Sequence, residues 1–484
     1  MNGDPSVTWF LEQETRALVT RLASVQPFVL QETQLAAAAL SPAALSGIEQ
    51  YLITGRRQVY LRARAFLRWL RGPGAAASAA EQQRRFWMLR LTFQNALSQF
   101  DLFSEVITQR SEHDNGVLLS GLDVAAAEAL LVPGRFFEGP PVICSLHRGL
   151  GGAIRRARTR LPGGGDNPVA IIRIPRERMI GFGIASSLVH EVGHQGAALL
   201  QLVESLRAQL RPIRARTGLR GAWDLWDRWI SEIVADFWSI SRIGIGSTLG
   251  LIGLVSLPRG FVFRPSQDDP HPMPWVRVLL SCALGDRLYP DPQWEQLAAT
   301  WQAMYPIVGI RPQLSALISE LRTTMPDLVS VLVEHRSARL RGWPLGEVLH
   351  NPGLYRGPLL QRFSAWEADP GRMAMEPPTM AFAVLGQARA SGRLSPERES
   401  RLLRRLIASW AVRSSLDTAR ATARSGTEMF VGQPTIWAGP PAPVGLPDLA
   451  DSRGWVGPPA PVGLPDSSGW VGLPGHIQRS RAAI

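Results

Sequence analysis

The residues best suited to chemistry lie in one short run, Ser187-Leu-Val-His-Glu-Val-Gly-His-Gln195. His190 and His194 are four residues apart. On a helix both imidazoles then leave from one face and can reach a single metal ion. Glu191 sits one residue round from His190, where it can take a proton from a metal-bound water without ligating the metal itself. Zinc suits such a site, because it lowers the pKa of its bound water to roughly 7 and polarises a carbonyl. The bland alternative is a pair of histidines on an ordinary helix, facing core or solvent.

A second constellation follows at Glu232-Ile-Val-Ala-Asp236. A catalytic zinc needs a third protein ligand and one position left open for water, and Glu232 offers that ligand. Asp236 lies four residues on and shares its face. It can accept a hydrogen bond from a ligating histidine and fix its tautomer. Ile230, Ile233, Val234, Phe237 and Trp238 flank the pair and point to a mostly buried helix, where unpaired carboxylates are costly.

HEVGH followed by EIVAD resembles the H-E-x-x-H and E-x-x-A-D signature of the gluzincins, in particular the M48 metallopeptidases (the CaaX-prenyl-protease and HtpX-like group). Downstream, His271-Pro272-Met-Pro-Trp-Val-Arg277 is similar to the H-P-x-x-x-x-R element of that family. The resemblance implies zinc on His190, His194 and Glu232, with Glu191 as catalytic base. It also implies that His271 lies near the metal and that Arg277 holds the loop carrying it. His271 can serve there as a donor to the oxyanion of a tetrahedral intermediate, or as a fourth ligand that keeps the site latent. The matching stretch runs over residues 168–290. M48 proteins commonly carry transmembrane helices, and this chain offers no candidate. The metzincin pattern is excluded, since it requires a further histidine at position 200, which is Leu.

The elements that must hold these residues read as α+β and mostly α: a zincin-like core with a small sheet, flanked by helical regions. Residues 1–135 form an N-terminal helical domain, with Gly72–Ala80 a loop between two arginine-bearing helices. Residues 136–290 form the catalytic domain. Within it Pro168–Ile174 is the best strand, a β-branched run between turn signals, expected at the sheet edge where a substrate peptide can add to it. A helix is expected from Gly183 to about Leu210, a loop over Arg211–Arg220 and a second helix from Ala222 to Ile240. Arg155, Arg156, Arg158 and Arg160 are taken as one solvated helical face. Trp223, Trp226 and Trp229 have core spacing, and Glu112-His113-Asp114 reads as surface. Residues 291–427 form a C-terminal helical domain, in which Ser395-Pro396 starts a helix. Residues 428–484 change character. W-[AV]-G-P-P-A-P-V-G-L-P-D appears at Trp437–Asp448 and again at Trp455–Asp466, too rich in Pro and Gly to pack a core.

Composition narrows the function. The chain has 484 residues and a net charge of +12, yet contains no lysine, so all 52 basic residues are arginine. Such a bias across the whole chain, with abundant Ala, Gly and Pro, looks like GC-rich coding and weakens any inference to nucleic acid, which is not expected as a partner. Cys144 and Cys282 make neither a disulfide framework nor a cysteine metal site. The most apolar run, Ile243–Pro258, holds four glycines and three hydroxyl residues and is too short to span a membrane. The N-terminus lacks an apolar signal core. The expectation is a soluble, cytoplasmic, zinc-dependent peptidase acting on a peptide or protein substrate, with a possible protein partner recruited through the Pro/Trp tail. The alternative is a non-enzymatic helical interaction protein with a structural or degenerate zinc site.

Overall fold

Proline at the first helical position, behind a Ser or Asp cap, recurs along the chain. The caps Asp4, Ser41 and Asp291 accept hydrogen bonds from the backbone N–H of Ser6, Ala44 and Gln293, each followed directly by a proline. Ser395 does the same for the Arg398 N–H, as its Ser-Pro sequence predicts. The computed structural model describes residues 4–30, 34–147, 152–161, 165–176, 182–216, 218–265 and 269–430. The Pro/Trp repeats lie outside these residues, as do the side chains of His113 and Asp114.

The described chain is mostly helical with a small three-stranded sheet. Four helices come first: α1 (Pro5–Ser24), α2 (Pro42–Leu70), α3 (Ala79–Thr108) and α4 (His113–Leu130). The strands β1 (Val142–His147), β2 (Ala153–Arg155) and β3 (Ala170–Pro175) follow. Next are α5 (Phe182–Leu199), α6 (Leu202–Arg216), α7 (Arg220–Ile243), α8 (Ile245–Val255), the single turn α9 (Arg259–Val262) and α10 (Pro274–Leu288). The chain continues through α11 (Pro292–Met304), α12 (Pro312–Val333), α13 (Leu345–Leu349), α14 (Arg356–Ala368), α15 (Pro378–Ala390) and α16 (Pro396–Phe430). No described helix is long and apolar enough to cross a membrane.

The sheet order is β1-β3-β2, with β1 parallel and β2 antiparallel to β3. The strand expected at Pro168–Ile174 is therefore present, but it is the central strand and not an edge. The reason lies in its burial on both faces. Ile171 packs with Ile143 into a core formed by α2 and α3, while Ile172 and Ile174 face the main core on the other side. The main core runs from Leu118 to Trp410, across positions 135 and 290 where domain boundaries are expected. A third cluster lies between α1, α2 and α3, around Leu18, Ala63, Phe66 and Phe93. Trp223, Trp226 and Trp229 are buried, as their spacing predicts.

Two local expectations are corrected. Residues 153–160 are not a helical arginine face. Ala153–Arg155 is the edge strand β2, pairing Ile154 with Ile172, and the chain then turns. The Asn167 side-chain amide donates to the Arg155 and Arg156 carbonyls, and the Arg158 N–H donates back to the Asn167 carbonyl. Residues 211–216 are not a loop but the end of α6, which continues through Pro212. Packing overrides the proline there. Leu202, Leu206 and Leu210 are buried in the main core, and Arg214 is held by Asp224 at 2.8 Å and Asp227 at 3.0 Å, both on α7.

A buried ion pair fastens the sheet to the helices. Arg110, in the turn after α3, has no exposed side-chain surface and makes paired hydrogen bonds to Asp123 of α4. Asp123 also accepts from the Cys144 N–H on β1 at 2.6 Å. Removing the carboxylate would strand a buried guanidinium and a strand N–H. Asp123→Ala is expected to cost roughly 3–5 kcal/mol, read as a lowered denaturation midpoint in urea.

Candidate metal centre

His190, Glu191 and His194 sit on α5, and Glu232 and Asp236 on α7. What brings the two helices together is the absence of side chains on one face of α5. A Cβ added at Gly193 would lie 2.9 Å from the Ala235 Cα and from the Trp238 Cβ. One at Gly196 would fall 2.4 Å from the Trp238 ring. A mid-helix glycine costs about 1 kcal/mol relative to alanine, and here it permits near-backbone contact with α7. Trp238 is anchored in turn, its indole N–H donating to the Ala129 carbonyl of α4.

At that crossing the Glu232 carboxylate meets both imidazoles. His190 Nε2 is 3.2 Å from Glu232 Oε2, and His194 Nε2 is 3.5 Å from Glu232 Oε1. Ligands held about 2.1 Å from a tetrahedral ion are separated by roughly 3.4 Å, so each imidazole stands from the carboxylate at about the spacing of a metal shell. Among the described residues His190, His194 and Glu232 form a group that could hold a metal ion. Two nitrogens and one carboxylate oxygen are donors that zinc accepts.

The surroundings orient these donors. His190 Nδ1 is 2.8 Å from Asp236 Oδ1. A carboxylate only accepts, so Nδ1 donates to Asp236, and Nε2 is directed at Glu232. Arg277, on α10, donates from Nε to Asp236 Oδ2 at 2.7 Å and from a terminal nitrogen to Oδ1 at 2.9 Å. His271, on the loop before α10, places Nε2 3.2 Å from Glu232 Oε2, while Asp269 accepts from its backbone N–H and lies 2.6 Å from Nδ1. Ser231 Oγ is 3.4 Å from His194 Nδ1.

Glu191 is buried and is not among the three grouped donors. It lines two recesses with His190 and His271. One, of about 110 Å³, runs toward Leu251 and Leu254 of α8. The other, of about 340 Å³, is bordered by Ala153, Ile154 and Arg156 beside β2. Gly152 lines both, and a Cβ there would sit 2.8 Å from Glu191 Oε1. Gln195, next to His194, ties this wall to α5 by accepting from the Ala157 N–H at 2.8 Å.

All seven residues singled out in the sequence are thus gathered in one place: His190, Glu191, His194, Glu232, Asp236, His271 and Arg277. Asp269, Ser231, Gly152 and Gln195 were not foreseen. For Asp269 a signal existed, since an aspartate two residues before His271 is suited to accept that residue's N–H in a turn. Gln195 and Gly152 act across the fold and carry no local signal. Set against known proteins, the chain matches no protein-family model, no curated protein and no solved structure.

Electrostatics favour a cation. Burial alone would raise the Glu232 carboxyl, yet hydrogen bonds from His190, His194 and His271 hold it well below the usual carboxylate range. Burial likewise raises Asp236, but Arg277 and His190 outweigh it and keep it ionised. His190 is pulled down by burial and raised more strongly by Asp236 and Glu232, to about 9. Without metal the imidazole is therefore protonated at pH 7, and the stability it contributes is complete below about 6.5 and lost as pH rises through about 9. A metal needs the neutral ring. A metal ion binding there at pH 7 would displace about one proton from His190, so its affinity is expected to climb as pH rises toward 9. Calorimetry in two buffers of different ionisation heat reads this directly.

The helix crossing makes its own prediction. Gly193→Ala should lower stability by roughly 1–3 kcal/mol through overpacking and weaken any metal binding by separating Glu232 from the imidazoles. Gly183→Ala, on the same helix with nothing within 4 Å of its added Cβ, should leave the three-donor group intact. Thermal melts with and without added divalent metal compare the two.

Proposed function

We propose that this chain is a zinc-dependent peptidase built on a zincin-like core of the gluzincin kind. The observation that carries this reading is the meeting of His190, His194 and Glu232 at metal-shell spacing, with the Glu191 carboxylate lining the same cleft. The order of the HEVGH, EIVAD and HPMPWVR motifs, similar to M48 metallopeptidases, supports it further.

When bound, zinc would supply Lewis-acid polarisation of the scissile carbonyl and acidify a water at its open position. His190, His194 and Glu232 would hold it. Glu191 accepts the proton as water attacks the carbonyl carbon, and returns it to the leaving amine nitrogen as the C–N bond breaks. His271 donates from Nε2 toward the oxyanion. Asp236 keeps the proton of His190 on Nδ1, and Arg277 holds Asp236 in place. A peptide or protein substrate in extended form would run along β2, the strand bordering the cleft, and not along the central β3.

One observation favours a second reading. His271 Nε2 stands outside the three-donor group but only 3.2 Å from Glu232 Oε2, so movement of its loop could add a fourth donor. A shell closed in that way would serve structure alone, as in an interaction protein with a structural zinc.

Glu191→Gln separates the two. The peptidase reading expects this variant to bind one zinc per chain like wild type and to lose hydrolysis of a peptide library by 10²-fold or more, the scale of general-base catalysis. A wild-type protein that melts lower after chelation yet cleaves no peptide would favour the structural reading. Equal cleavage by the variant and wild type would remove Glu191 from the mechanism.

A further inference from the structure

The N-terminal helices carry a surface that the metal centre does not use. Between positions 50 and 80 the chain has six arginines and no acidic residue. Four of these are engaged: Arg56 with the Leu22 carbonyl, Arg62 with Thr92, Arg71 with Glu12, and Arg64 over the Tyr60 ring. Arg57, Arg64 and Arg68 are exposed on α2, and none forms an ion pair with a described residue. Their spacing of seven and four residues, with Leu61 among them, places all four on one stripe of the helix.

The neighbouring stripe belongs to α3. Trp87, Met88 and Leu91 occupy i, i+1 and i+4 and are 45%, 57% and 38% exposed, and Leu61 beside them on α2 is 52% exposed. The two helices lie side by side, joined by Arg62 to Thr92 at 3.0 Å and by the Arg85 guanidinium 4.1 Å above the Trp69 ring. Their opposite faces, including Val59, Ala63, Phe86 and Phe93, are buried against α1. The outer side of this pair is therefore positive and apolar at once, with Arg57, Arg64, Arg68 and Leu61 on α2 and Trp87, Met88 and Leu91 on α3.

We infer that this α2–α3 face docks on an anionic lipid surface, with Arg57, Arg64 and Arg68 at the headgroup phosphates and Trp87, Met88, Leu91 and Leu61 in the interfacial layer. The charge complementarity calls for a polyanion. The aliphatic Leu61, Met88 and Leu91 then favour lipid over nucleic acid, since they would gain burial in an acyl boundary but offer no ring to stack on bases. Such a contact lies in the membrane plane and requires no spanning helix.

The test uses the full chain and sedimented vesicles. Binding is expected to vesicles of phosphatidylcholine with one-third phosphatidylserine, and to fall at least tenfold on pure phosphatidylcholine or in 0.5 M salt. The triple variant Arg57→Gln, Arg64→Gln, Arg68→Gln should lose at least tenfold on the anionic vesicles. Trp87→Ser with Met88→Ser should lose binding while keeping the arginines. All five sites are exposed, and melting curves verify that each variant folds. Equal binding to neutral and anionic vesicles, or none to either, overturns the proposal. So does tight binding of a single-stranded oligonucleotide with no vesicle binding, which would assign the face to nucleic acid.

Discussion

The candidate centre depends on how closely α5 approaches α7. Each helix carries only part of the donor set, two imidazoles on one and a carboxylate on the other. Neither has a use for metal alone. Gly193 and Gly196 leave a smooth strip on α5, against which Ala235 and Trp238 of α7 rest almost at backbone distance. A larger residue on that strip would push Glu232 out of reach of both rings. The glycine inside HEVGH is thus a condition of the geometry and not a spacer, and Trp238 of α7 is its counterpart.

Charge compensation is the second constraint. Asp236, Arg277 and Glu232 are all largely buried, which is tolerable only where each charge meets an opposite one or a donor. Arg277 neutralises Asp236, and Asp236 in turn orients His190. Three histidines face Glu232. In this arrangement α10, which supplies no metal donor, still acts on the centre through one guanidinium. The same logic recurs at a distance from the cleft, where Arg110 and Asp123 fix the outer strand β1.

The site was more legible in the sequence than the sheet beside it. His190 and His194 speak for themselves because a helix turns i and i+4 to one side, and Glu232 and Asp236 repeat the pattern. Their apolar neighbours announced burial. Gathering the two helices with His271 and Arg277 came from the family likeness, since spacing alone does not say which helices meet. The strand β2 was hidden because three residues among arginines, Ala153–Arg155, carry too little alternation to register, and its pairing is with β3, while Asn167 and Gln195 hold the turn that follows it. Pro212 misled for the opposite reason. Its local meaning is a break, and the buried leucines and the clasp of Arg214 by α7 outweigh it.

The two-sided burial of β3 bears on modularity. Ile171 and Ile143 look toward α2 and α3, while Ile172 and Ile174 look toward the cleft-bearing side. A fragment trimmed to the motif-bearing stretch would leave a sheet with one naked greasy flank, a surface prone to clump. Grafting the two helices of the candidate centre into another scaffold, or shortening the protein for engineering, therefore has to carry the first hundred residues along as upholstery for that flank.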